Sequence, residues 1–420
     1  MDFDRGFAAL RHGSRDTYVM TAGGFHDCDF GIQCAGPLSA RILIHGHRMS
    51  RIDLPLSPPP DCEPLRADVR DFIAAHRHRW SPTDRARSWM SYDRDLSLAL
   101  GARGWIGMTW PKAYGGRERS AIERYTVLEE LLAAGAPVGA HWIADRQSGP
   151  LILRVGSEAQ RQAILPRIAA GAVTFCIGMS EPDSGSDLAS IRARARRDGD
   201  GWVLSGTKLW TTNARRSDYM IGLFRTGAGP DERQRGLSQF LIDMRLPGIE
   251  ARPIADLGGH DDFNQVTFDD VRLMPDALLG TEGEGWAQVS SELALERSGP
   301  ERLLSSFPLL AAAAAEADTQ HAALIGTLVA EVAVLRQMSL AVADMLQAGA
   351  SPALQAALVK DRGTIFEQDV AERLRPVLAE AQGELATMYQ ATMQVAPSFT
   401  LRGGTTEVLR GIVARGLGVR

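Results

Sequence analysis

Two stretches of the chain concentrate residue types that could do chemistry. Cys176-Ile-Gly-Met-Ser-Glu-Pro-Asp-Ser-Gly-Ser-Asp187 gathers Ser180, Ser184, Gly185 and Ser186 around Pro182. Short hydroxyl side chains and accessible backbone N–H groups suit a site that hydrogen-bonds the edge of a planar polar ring, or a phosphate. The same composition also builds an ordinary Ser-rich surface turn. The second stretch is Gly206-Thr-Lys-Leu-Trp-Thr-Thr-Asn-Ala214. An indole at Trp210 beside Thr211 and Thr212 could hold one face and the edge of a flat cofactor, or it could fill a β-core. A third segment, His141-Trp-Ile-Ala-Asp-Arg-Gln147, is unusually polar for a helical region. There Arg146 or Gln147 either selects a polar or bulky substrate group or forms a helix-surface pair.

These segments need elements to position them. Residues 1–55 lack sustained periodicity and end in a Pro-dense stretch, Pro55 to Pro60, so they read as a flexible N-terminal extension. Over 56–172 the apolar spacing is helical, as in Leu65, Val69, Phe72 and Ile73, with breaks at Gly115-Gly116 and Gly135-Ala-Pro137. Over 173–284 the texture is strands and turns. Trp202 to Thr212 carries a hairpin signature, and Tyr219 to Phe224, Leu237 to Ile242 and Val266 to Leu273 read as further strands. Residues 285–420 are rich in Ala and Leu and favour long helices. The expected architecture is α+β and multi-domain: an N-terminal α-helical domain, a central β-barrel or sandwich, and a C-terminal α-helical bundle.

Composition excludes several classes. A net charge of -5 over 420 residues gives no electrostatic reason to expect nucleic acid. Apolar runs such as Leu309 to Ala315 fall short of the roughly 20 residues needed to span a bilayer, so no membrane is expected. Acidic residues in Met1 to Arg15 argue against a presequence, and a cytoplasmic protein is the expectation. Cys28 and Cys34 lie near His26, His45 and His47, but without zinc-ligand spacing, so no metal is expected. Lysine occurs only at 112, 208 and 360 against abundant arginine, which reads as genomic base composition.

Taken together, the two chemical stretches resemble the flavin-lining segments of the acyl-CoA dehydrogenases, a family with a Ser/Thr-Glu-Pro-x-x-Gly-Ser-Asp loop and a Trp-x-Thr-Asn strand. Phe268-Asp-Asp-Val-Arg272, Leu279-Gly280 with Gly283, Gly285 and Trp286, and Gly403-Gly-Thr-Thr-Glu407 are similar to its later signatures, in the right order from about residue 60 onward. The resemblance implies FAD and an acyl-CoA substrate, with electrons passed to an electron-transfer flavoprotein or, in an oxidase, to oxygen. It implies that Met179, Ser180, Trp210 and Thr212 contact the flavin, that Gly185, Ser186 and Thr405 complete the cofactor site, and that Ser186 and Arg297 face substrate; Arg146 joins them as a substrate-binding candidate from the polarity of its helix.

The reaction needs a carboxylate to take an α-proton that is only weakly acidic. In many family members the base sits where this chain has Gly403, which carries no carboxylate. A minority place it on the first helix after the β-domain, just before an Arg, and this chain has Leu295-Glu296-Arg297 there. The resemblance therefore assigns Glu296 as base and the Gly403 N–H as oxyanion donor, with Glu301 and Glu407 in reserve. A surface glutamate paired with Arg297 or Arg302 is the alternative for Glu296. The family's Arg-x-x-Phe-Gly interface motif is missing from about Glu316 to Arg336, and Gln382-Gly383 only partly matches its pyrophosphate loop. Three assemblies remain open: a homodimer or homotetramer that holds the adenine end in its own way, through Arg336 or Arg362; a heteromer completed by a second subunit; or a non-catalytic family member.

Overall fold

The computed structural model describes residues 62–227 and 233–419, together with three strands nearer the start; of residues 292–296 it describes the backbone alone. Those strands, β1 (Thr17–Met20), β2 (Gly31–Ala35) and β3 (Ala40–Leu43), pair as an antiparallel meander. The remainder of residues 1–61, and with it the expectations of a flexible extension and of no metal at its Cys and His side chains, lies outside the described residues.

The helical first part comprises α1 (Glu63–His76), α2 (Pro82–Arg87), α3 (Arg94–Ala102), α4 (Ala121–Ala133), α5 (Gly139–Ile143), α6 (Gly149–Val155) and α7 (Glu158–Ala169). Local chemistry sets the starts. Ser120 with Glu123 and Ser157 with Gln160 form capping boxes for α4 and α7, each satisfying two orphan N–H groups. Strands follow: β4 (Phe175–Gly178), β5 (Arg194–Asp198), β6 (Gly201–Thr212), β7 (Tyr219–Arg225), β8 (Leu237–Asp243), β9 (Ile249–Ile254), β10 (Phe263–Leu273) and β11 (Leu278–Leu279). The chain ends in α8 (Gly285–Glu296), α9 (Phe307–Glu316), α10 (Ala322–Gln347), α11 (Ala353–Arg373), α12 (Arg375–Leu378), α13 (Gly383–Val395) and α14 (Thr406–Gly416).

The strands form one sheet in the order β11-β8-β7-β5-β6-β10-β9, with β4 parallel to β7. It curls around an aromatic core. Trp202 of β6 meets Phe240 of β8 at 5.1 Å although β5 and β7 stand between them, and Phe224 packs edge-on to Phe268. This sheet, curled around its own core between two helical parts, is the expected central β-domain.

One local expectation fails. Trp202 to Thr212 lies within a single twelve-residue strand, Gly201–Thr212, and is not a hairpin. Gly206, at φ +136, bends the strand where Ala193 crosses close by: a Cβ there would sit 2.6 Å from the Ala193 Cβ. The glycine serves a close approach instead of a turn.

The two helical parts share one apolar core, in which Val69, Trp105 and Leu128 join Leu303, Leu309, Leu328 and Val370. Buried Glu129 of α4 ties them further, accepting from Arg66 of α1 at 2.9 Å and from Arg336 of α10 at 2.5 Å. Among the described residues, α10 is long and apolar enough to cross a membrane. Here it packs against α4 and α11, with Leu328, Val332 and Leu335 buried.

Candidate functional site

The structure brings the two chemical stretches side by side. Leu209 N–H of β6 donates to the Ser180 carbonyl at 2.8 Å. Glu181 and Ser184 exchange backbone bonds around Pro182-Asp183, so the segment closes as a tight turn. A buried ion pair pins this turn to the strand: Lys208 Nζ lies 2.8 Å from Glu181 Oε1 and donates to the Met179 carbonyl at 3.2 Å. The Glu181 carboxylate also accepts from the Arg192 and Ala193 N–H groups. Lys208 is fully buried. Burial pulls its pKa down to about 8, against the pull of Glu181, so at neutral pH it remains mostly ammonium.

Immediately after Lys208 the β6–β10 register slips, and Trp210 adopts φ +59, a left-handed conformation rare for a bulky residue. Such a bulge re-aims a side chain. The Trp210 indole is 56% exposed, resting only an edge against Phe263 at 6.1 Å, which overturns the β-core alternative. Gly185, Ser186 and Asp187 are also exposed, and a Cβ on Gly185 would meet nothing within 4 Å. Met179 is different: its side chain packs inward with Val289 and Trp286 of α8, leaving its backbone toward the turn.

From that contact α8 runs to Glu296, whose side chain lies outside the described residues. The next residue, Arg297, is buried and donates from Nε to the Gly403 carbonyl at 3.0 Å. Lys360, also fully buried, donates to the Gly404 carbonyl at 2.7 Å. Gly403 and Gly404 have φ of +67 and +104, conformations that L side chains rarely adopt. The end of α8 and this turn are therefore held together. Thr405 caps α14 by accepting from Val408 N–H at 3.5 Å, and Glu407 is exposed.

Beside the turn, the Arg402 guanidinium stacks on Trp89 at 3.7 Å. Buried Glu367 of α11 accepts from Ser305 N–H at 2.6 Å; burial pushes its carboxyl up to about 7, opposed by that bond and by Arg402 and Arg302. Phe263, the neighbour of Trp210, packs on the Met90, Val395 and Phe399 cluster that leads into this segment.

Arg146 sits in a π-helical turn, Ala144–Ser148, between α5 and α6, and pairs at 2.5 Å with buried Glu301. Both line a cavity of about 340 Å3 whose wall includes Ser298 and Gly299. Glu301 is thus committed to Arg146, and Arg336 to Glu129, while Arg362 stands exposed on α11. Sequence reasoning missed the Lys208–Glu181 pair, Lys360 and the Glu367–Arg402 neighbourhood. The signal that could have found the first two was the rarity of lysine itself.

The chain matches three family profiles: "Acyl-CoA dehydrogenase, N-terminal domain" over residues 59–172, "middle domain" over 176–271 and "C-terminal domain" over 288–418. The chain belongs to the acyl-CoA dehydrogenase family. It is similar to acyl-CoA dehydrogenase IpdE1 of Mycobacterium tuberculosis, 35% identical over 244 residues, covering 56% of this chain and 63% of that protein. It is also similar to (2S)-methylsuccinyl-CoA dehydrogenase of Cereibacter sphaeroides, 33% identical over 54% of this chain and 43% of that one. The chain spans about three fifths of the length of the first curated relatives it matches. Among solved structures, the Tcur3481-Tcur3483 steroid ACAD superposes with a TM-score of 0.78 at 27% identity, over 87% of this chain and 99% of that one. The ChsE4-ChsE5 complex from Mycobacterium tuberculosis gives 0.75 at 29%, over 87% and 99%.

Members of this acyl-CoA dehydrogenase family are FAD flavoproteins. The residues present fit such a group. An exposed indole on a bulge, flanked by the exposed, unobstructed backbone of Gly185 and Ser186, offers a face and an edge to a planar ring.

Proposed function

We propose that the chain catalyses α,β-dehydrogenation of an acyl-CoA thioester. The observation that carries this reading is the Arg297 Nε to Gly403 O bond, which clamps the residue after Glu296 to the turn where the family's more common base position is occupied by glycine. Bound against Trp210, Ser180 and Thr212, FAD would supply the acceptor for the β-hydride. Glu296 takes the α-proton. The Gly403 N–H steadies the charge that develops on the thioester oxygen, a role that depends on a preorganised donor, and Arg297 with Lys360 provides that order. Ser180 acts through a carbonyl already fixed by Leu209, and Met179 through its backbone. Gly185, Ser186 and Thr405 complete the cofactor site, with Ser186, Arg297 and Arg146 toward substrate.

We also propose that a second acyl-CoA dehydrogenase-like subunit completes the flavin site. The missing Arg-x-x-Phe-Gly segment and the half-bare Trp210 favour a heteromer over a self-sufficient homo-oligomer. Two similar solved structures are described as pairs of distinct subunits, which supports the same choice. Electrons would pass to an electron-transfer flavoprotein. The steroid-acting neighbour makes ring-bearing acyl groups the first substrates to try. The test is product mass: with an artificial electron acceptor and the co-expressed partner, acyl-CoA should emerge lighter by two hydrogens. An unchanged acyl-CoA across short, branched and ring-bearing substrates refutes the reading.

A further inference from the structure

A short segment of the N-terminal part, Arg87 to Met90, touches both halves of the candidate site. Arg87 closes α2 and is buried. Its guanidinium pairs with Asp262 and lies 3.4 Å from Asp256. Asp256 in turn accepts the Gly258 and His260 N–H groups, each at 2.9 Å, so Arg87 holds both ends of the loop from β9 to β10. That loop fixes the end of β6: the Asp262 carbonyl accepts from Asn213 N–H at 2.6 Å, and Phe263 pairs with Thr212 in the ladder. The second cation on Asp262, Arg216, is 3.5 Å away and exposed. Arg87 is therefore the buried charge that anchors the strand bearing Trp210 and Thr212.

Two residues on, Trp89 meets the other half. The Arg402 guanidinium stacks on its indole at 3.7 Å, and Arg402 immediately precedes Gly403. Trp89 Nε1 also donates to Ser305 Oγ at 3.2 Å. Met90 joins Phe399 in a small core against which Phe263 packs, so it touches both sides. Between Arg87 and Trp89, Ser88 is buried and takes φ +29, a backbone conformation uncommon for any residue but glycine. Its hydroxyl donates to the Ala136 carbonyl at 3.0 Å. Such strain persists only where the surroundings over-determine it, and it concentrates at working sites. Here it falls between the residue that holds the flavin-side strand and the one that holds the Gly403 turn.

We infer that Arg87 and Trp89 are positioning residues for the dehydrogenation, setting the spacing between Trp210 and Thr212 on the flavin side and the Gly403 turn on the thioester side. The inference rests on the reading of the chain as an acyl-CoA dehydrogenase. Neither side chain needs to touch FAD or substrate. A displacement of about 1 Å made far from the reacting atoms can cost about 10²-fold in rate, because transfer depends on a near-attack geometry.

The experiment has two arms. In the first, FAD-loaded protein with its partner subunit is mixed anaerobically with rising acyl-CoA and flavin bleaching is followed. Arg87→Met combined with Asp262→Asn, which strands no charge, should lower the limiting rate about tenfold or more while the half-saturating acyl-CoA concentration stays within about twofold. Trp89→Leu, made separately, should do the same. The second arm needs no turnover: calorimetric Kd for FAD on the apoprotein, in a cycle with Trp210→Ala. The Arg87→Met and Asp262→Asn pair should weaken FAD about fivefold in the wild-type background, but less than about twofold once residue 210 is alanine, because the loss runs through that indole. Equal fold losses in both backgrounds, the outcome of a merely structural role, overturn the inference. Limiting rates within about twofold of wild type in both proteins overturn it too. A wild-type flavin that stays oxidised with every acyl-CoA instead defeats the dehydrogenase reading, and the FAD cycle then judges Arg87 by itself.

Discussion

Replacing Lys208 by Met tests how the flavin-side turn is held. The ammonium sits 2.8 Å from Glu181 Oε1, 3.2 Å from the Met179 carbonyl and 4.9 Å over the Phe224 ring, with no exposure to solvent. Removing one partner of a buried ion pair costs about 3–5 kcal/mol, chiefly because the other charge is left stranded. Glu181 retains two backbone donors, Arg192 N–H at 2.6 Å and Ala193 N–H at 3.0 Å, which places the expectation near the lower end, about 3 kcal/mol. For a chain of 420 residues that corresponds to a Tm lowered by roughly 3–4 °C. Adding Glu181→Gln removes the stranded charge while keeping an acceptor, so the double variant should recover at least half of the loss. The assay is a double-mutant cycle on unfolding free energy, read beside the fraction of protein that retains FAD. Single-variant losses that add within about 0.5 kcal/mol in the double variant would refute the argument that the pair acts as a unit.

Three further outcomes follow from the same geometry. Trp210→Ala should leave apoprotein unfolding within about 0.5 kcal/mol of wild type, since the indole is mostly exposed, yet weaken FAD binding by about 1 kcal/mol or more; unchanged FAD affinity removes Trp210 from the cofactor site. Arg297→Met should retain FAD but slow flavin reduction about tenfold or more, because it removes the N–H donor that holds the Gly403 carbonyl; a rate equal to wild type would detach Arg297 from the mechanism. Glu367 has a folded pKa of about 7 against 4.5 in the unfolded chain, so the folded state holds its proton more tightly and stability falls as pH rises through that window. Glu367→Gln should therefore gain on wild type by up to about 3 kcal/mol between pH 5 and pH 8 in urea unfolding, and a difference that is flat with pH would contradict the burial argument.

The elements were legible where periodicity and turn chemistry agreed. Ser120 with Glu123 and Ser157 with Gln160 start helices for reasons visible in four residues, and the change from helical to strand texture near Val173 is visible in the sequence. The hairpin at Trp202 to Thr212 was misread because Gly206 looks like turn chemistry, whereas its need arises from Ala193, the residue just before β5. The site's two motifs could be read as motifs, but not the way they are joined. Glu181 reads as a loop carboxylate and Lys208 as a strand cation until folding buries both. Lysine scarcity was attributed to base composition, yet two of the three lysines are wholly buried and each fastens a loop of the candidate site. A compact ammonium on a flexible stem can end on a single carbonyl, a task to which the wider arginine fork is less suited. Arg146 was singled out for its polarity in a helix, but its partner Glu301 lies 155 positions on, beyond any local pattern.

The most direct test of the central claim is the rate of flavin bleaching when FAD-loaded wild type and Glu296→Gln are mixed anaerobically with the same acyl-CoA, in the presence of the partner subunit. The account predicts that both proteins hold FAD and that the wild type bleaches, with Glu296→Gln slower by about 10²–10⁴-fold, the usual contribution of a positioned general base. A Glu296→Gln protein that bleaches at the wild-type rate would contradict it.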